Sequence, residues 1–108
     1  MESQERRMFD RFDVDFTAEI RGPSKNEFCQ CCNVSAQGAG VYTEERLTPQ
    51  TKLELLLGIP NGHRPFHGLA RVVWSNQVQE DKWRSGLEFE KVDFMGIRRI
   101  FETLAKKG

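Results

Sequence analysis

Apolar residues recur at every second position through most of the chain and at every third or fourth position only near its end. In residues 15–21, Phe16, Ala18 and Ile20 alternate with polar neighbours before Gly22-Pro23-Ser24 breaks the run, which is the pattern of a half-buried strand closed by a turn. Residues 27–34 resume the strand pattern with Phe, Cys and Val. The polar and glycine-rich residues 35–40 then interrupt the ladder, and Val41-Tyr42-Thr43 restarts it. Leu53, Leu55 and Leu57 share one face of residues 51–57, and the flanking Pro49 and Gly58-Ile59-Pro60-Asn61-Gly62 favour a strand over a short helix. Residues 66–75 and 83–90 read as a hairpin across a polar connection. From Asp93 the period lengthens. Phe94, Ile97, Ile100, Phe101 and Leu104 mark one stripe of an amphipathic helix over about 93–107, with Asp93 as its N-cap and Lys106 and Lys107 at the end that favours cations.

Six short strands and one terminal helix predict a mainly all-β fold, a six-stranded antiparallel β-barrel with a C-terminal α-helix packed on it. Parallel α/β folds are excluded because no helical pattern separates the strands. Residues 1–12 are charged and aperiodic and read as a flexible, arginine-rich arm, leaving 13–108 for the barrel and helix. At 108 residues, with 38% hydrophobic positions and eight Phe, the chain is one globular domain long.

Sixteen Lys and Arg balance sixteen Asp and Glu, so no overall field draws in a nucleic-acid polymer, and any anion must be held by a local cluster. No apolar run approaches the length of a membrane span, and the first residues lack the apolar core of a signal peptide. The expectation is a cytoplasmic protein without membrane insertion. Cys29, Cys31 and Cys32 lie too close together to cross-link distant elements and read as reduced thiols. A zinc site would need a fourth ligand, and His63 and His67 merely flank Pro65, so no metal is expected. Nucleophile elbow, phosphate-cradling loop and paired carboxylates in an apolar setting are all missing, which argues against an enzyme and leaves no catalytic residue to name.

Two short motifs remain. Arg6, Arg7 and Arg11 put three guanidinium groups into six residues, and Asn33-Val34-Ser35-Ala36-Gln37-Gly38 follows at a distance. Read singly, the first is a solvated terminus and the second a turn in which short polar side chains bond nearby backbone. Together, Arg7-Met8-Phe9-Asp10-Arg11 and Asn33-Val34-Ser35-Ala36-Gln37-Gly38 resemble the Arg-x-x-x-Arg and (Asp/Asn)-x-Ser-x-x-Gly motifs of the PilZ family, and the likeness runs on through Gly86-Leu87-Glu88-Phe89 and the helix. The resemblance implies a six-stranded PilZ barrel, a receptor for the bacterial second messenger cyclic di-GMP with no catalytic activity of its own and no cofactor; with no enzyme, motor or membrane segment attached, it is expected to signal to a protein effector in trans. Arg7, Arg11, Asn33, Ser35 and Gly38 would hold the ligand. Arg6 would be accessory, since a basic residue there goes with a stacked pair of cyclic di-GMP molecules in the family.

The chemistry suits that ligand. A guanidinium fork pairs with phosphate, grips the O6/N7 edge of guanine or stacks on a base. Asn33 and Ser35, two apart, would share one face of an extended strand and accept from guanine N1 and N2. Gly38 would permit a left-handed turn and close approach to a flat base. Trp74, read at a strand end, is either a stacking face for a purine or a barrel-edge aromatic. Two competing readings are a PilZ-like adaptor that binds no nucleotide, against which the intact arginines count, and a single-stranded nucleic-acid binder, against which zero net charge counts.

Overall fold

The computed structural model describes residues 11–23, 25–59 and 64–107. The alternation at Phe16, Ala18 and Ile20 belongs to a strand longer than predicted, β1 (Phe12–Arg21). The others are β2 (Asn26–Val34), β3 (Gly38–Thr43), β4 (Lys52–Leu57), β5 (Phe66–Gln79) and β6 (Lys82–Val92), and the helix is α1 (Phe94–Lys107). All neighbours pair antiparallel, and the strand order β1-β2-β3-β6-β5-β4 closes on itself where Ala18 to Arg21 meet Leu57 to Glu54. Closure leaves the sheet without a free edge along its length, the usual danger of an open all-β sheet.

The period-2 residues line the interior. Phe16, Ala18 and Ile20 of β1 meet Leu53, Leu55 and Leu57 of β4, and Val34, Val41, Phe66 and Val72 are fully buried among them. Each of the Val, Leu, Ile and Phe side chains among them contributes about 1.5–3 kcal/mol by leaving water. The helix covers one end of the barrel with Ile97 and Ile100 buried and Phe101 and Leu104 half-buried, as its stripe predicts. The Phe94 side chain lies outside the described residues. Asp93 is the N-cap: its Oδ1 accepts from the Met95 N–H at 3.1 Å. Phe12 packs edge-on against Phe101, with ring centroids 5.6 Å apart, so the start of β1 is tied to the helix.

Two connections differ from the sequence reading. The polar stretch between β5 and β6 is a two-residue turn, Glu80-Asp81, with Asp81 at φ 59°. Asn76 to Gln79 are strand residues whose polarity reflects a ribbon that extends beyond the barrel, with no core beneath either face. Gly38, Ala39 and Gly40 likewise open β3 rather than interrupting the ladder, because their glycines answer to close contacts described below. Among the described residues no helix is long and apolar enough to cross a membrane.

Candidate functional site

Cross-strand register brings the two motifs together. Asp13 of β1 pairs with Asn33 of β2, which sets Arg11 beside the Asn33 side chain. The Arg11 Nη1 donates to Asn33 Oδ1 at 3.3 Å across 22 residues of sequence. Arg6 and Arg7 lie outside the described residues, as does most of the predicted arm, while Phe12 is already strand.

From Asn33 a row of paired residues crosses four strands. Asn33 pairs with Gly40 of β3, Gly40 with Gly86 of β6, and Gly86 with Trp74 of β5. Directly paired residues point to the same face of a sheet. Here that face is the outside of the barrel, because the flanking Ala39, Val41 and Leu87 are in the core. Register shifts fall on both sides of the glycines, between Cys31 and Asn33 on β2 and between Val72 and Trp74 on β5. Each has the form of a bulge, which re-aims side chains at a sheet surface. Asn33 is only 4% exposed although it faces outward, since its amide lies across Gly40: a β-carbon there would meet Nδ2 at 2.8 Å and Oδ1 at 2.9 Å. The Trp74 indole lies in the same way across Gly86, whose β-carbon would meet Nε1 at 2.5 Å. Trp74 is therefore a mid-strand residue five positions before the end of β5, not a terminal one.

Ser35 and Gly38 take different parts from those expected. β2 ends at Val34, so Ser35 does not continue the strand face of Asn33. It is buried in the turn, where its Oγ accepts from the Gln37 N–H at 3.1 Å and its own N–H donates to the Gly38 carbonyl at 2.9 Å. Gly38 does not adopt a left-handed conformation. Glycine is required there by the Leu87 carbonyl oxygen, which would sit 2.0 Å from a β-carbon. The Phe89 N–H donates to the Gln37 carbonyl at 2.8 Å and fastens the same turn to β6. The motif thus builds a rigid corner that holds Asn33 in place.

Two neighbours of this face, Gly40 and Arg84, were not singled out from sequence, and a third, Gly86, entered only within the likeness at Gly86-Leu87-Glu88-Phe89. Arg84 lies two residues from Gly86 on the same face of β6, and its buried Nε has no partner among the described residues. The two glycines could have been found by asking which outward positions of adjacent strands lack a side chain, but only once the register was known. Cys32 sits in the β2 bulge, its thiol donating to the Gly40 carbonyl at 3.5 Å and its sulfur accepting weakly from Asn33 Nδ2 at 3.8 Å. Burial pushes the Cys29 and Cys31 thiols up to about 12, with the charge of Glu27 adding at Cys29 and that of Cys32 at Cys31. Among the described residues no cluster of His, Cys, Asp and Glu could hold a metal ion.

A guanidinium, an amide and an indole thus line one outer strip of the barrel, a set able to hold an anion and stack a flat ring. Solved structures share the fold. The Bacillus subtilis inhibitor of motility, MotI/DgrA, matches 90% of this chain at 20% identity with a TM-score of 0.74. MrkH, described as a novel c-di-GMP-dependent transcription regulatory factor, matches 89% at 17% identity with a TM-score of 0.69. The chain spans about half of each, 49% and 48% of their lengths. No curated protein matches it in sequence. A family model described as PilZ domain matches residues 5–105, nearly the whole length over which the strands, the corner and the helix have been traced, and the chain belongs to the PilZ domain family.

Proposed function

We propose that this protein is a cyclic di-GMP receptor without catalytic activity of its own. The observation that carries the reading is the contact of Arg11 with Asn33, one residue from each motif, on the strip that also holds Trp74. Family membership supports it, and so does the fold shared with MrkH, whose description names c-di-GMP. The ligand inserts between the arginines and Asn33. Arg7 and Arg11 pair with its phosphates or grip a guanine edge, Asn33 accepts from guanine N–H groups, and Trp74 stacks on a base. Ser35 and Gly38 hold the corner beneath, and Arg6 adds a cation that favours a stacked pair of ligands.

The part of the arm that precedes Arg11 closes over the bound ligand, and a partner protein reads the closed form. Ordering ten residues costs on the order of 1–2 kcal/mol each in backbone entropy, so several charge-assisted bonds and stacked bases must offset it. A ligand shifts an equilibrium only by its differential affinity, so the arm must contact it far better closed than open. Calorimetric titration with cyclic di-GMP tests the site: Arg7→Ala and Arg11→Ala should each reduce binding to near nothing, and undiminished affinity in either would refute the assignment. Slower amide exchange over residues 1–12 with ligand would support closure, and unchanged exchange would remove it.

A further inference from the structure

Gly40 and Gly86 sit side by side at the centre of the outer strip, on adjacent strands. They are the only two residues between Asn33 and Trp74 in their row. Strands lie about 4.8 Å apart, so the Asn33 and Trp74 backbones are separated by on the order of 14 Å. Ordinary side chains in that gap would stand up from the sheet and push amide and indole away from it. Instead three consecutive indole atoms, Nε1, Cε2 and Cζ2, lie within 3.0 Å of where the Gly86 β-carbon would be. Three amide atoms of Asn33 lie within the same distance of the corresponding point at Gly40. Distances that short essentially do not occur with real β-carbons, and here the obstructing groups are flat side chains, not backbone. Each glycine is therefore a seat for one planar group, and the two seats are adjacent.

We propose that Gly40 and Gly86 are positioning residues of the ligand site, whose missing side chains let the Asn33 amide and the Trp74 indole settle into one continuous flat floor for a purine base. This deepens the proposed binding of cyclic di-GMP and rests on it. The bulges at Cys32-Asn33 and Val73-Trp74 belong to the same device, since they turn Asn33 and Trp74 inward over the glycines from opposite sides. The floor acts on a base by stacking from Trp74 while Asn33 meets its polar edge. Glycine at these two positions therefore sets the depth and tilt at which the base lies, while Arg11 reaches it from the rim.

The test is a double-mutant cycle read by cyclic di-GMP titration and by tryptophan emission, in a Trp83→Phe background so that Trp74 is the sole indole. Gly86→Ala should lower affinity at least tenfold and shift Trp74 emission even without ligand. Trp74→Ala should lower affinity comparably, and Gly86→Ala with Trp74→Ala should bind no worse than Trp74→Ala alone. Additive losses, or a Gly86→Ala variant with unchanged emission and affinity, would overturn the proposal. If Gly86→Ala alone does not fold, the double variant should, because the indole no longer occupies the new methyl's space. Failure of both would count against it. Gly40→Ala and Asn33→Ala form the parallel cycle with the same expectation. Should the unmodified chain not bind cyclic di-GMP at all, the receptor reading fails, while the ligand-free emission of Gly86→Ala still decides whether glycine seats the indole.

Discussion

Cys29 and Cys31 point to the same side of β2, toward the core, and burial is the main reason their ionisation is costly. Their thiols ordinarily titrate at 9.0 but are held up to about 12 in the folded chain. The folded state therefore keeps these protons at a pH where the unfolded state has lost them. Stability from this source is complete below 9.0 and is lost progressively as pH rises toward 12. We expect the melting temperature to fall between about pH 8 and about pH 10.5, and Cys31→Ala, although less stable at neutral pH, to fall less steeply over the same interval. Parallel slopes in thermal melts would show that buried thiols do not govern the alkaline limit. Asn33 is a contrasting residue. It is as buried as much of the core, yet its amide is used at both ends, by Arg11 and by Cys32.

At the scale of elements, α1 depends on its first turn. No acidic side chain occupies that turn, so Asp93, just before it, is the one carboxylate placed to satisfy an orphan N–H and to meet the positive end of the helix dipole. Asp93→Ala should cost about 1 kcal/mol in urea unfolding, and Asp93→Ser should recover most of it. No difference between the two would mean that the helix is held by packing alone. The stripe of α1 and the alternation of β4 were legible because each element buries one face against a core. The tip of the β5–β6 hairpin was not legible. It has no core under it, so Asn76 to Gln79 carry no alternation even though Asn76, Gln77 and Gln79 pair with β6, with a register shift at Val78.

Across the described residues, one closed sheet and one covering helix make a single core, in which Phe66 is fully buried and packs on Phe89 with ring centroids 5.3 Å apart. Truncation of that ring leaves a cavity shared by several strands. Phe66→Ala should destabilise by about 3–5 kcal/mol, with tryptophan emission and far-ultraviolet circular dichroism still tracing one coincident transition. Separate transitions would show that barrel and helix unfold independently.

Local pattern carried the strand and helix types, because period 2 and period 3.6 are imposed by burying one face of each element. It also carried the pairing of the two motifs, through a likeness of residue types at fixed spacing. Local pattern misassigned Gly38 and left Gly40 and Gly86 without a role, since a glycine in sequence looks the same whether it bends the chain or makes room for a neighbour. Which neighbour needs that room, Leu87 at one position, Asn33 at the next and Trp74 at the third, depends on the register of strands far apart in sequence. Only closure of the barrel sets that register, and with it the outer strip on which an amide, an indole and a guanidinium meet.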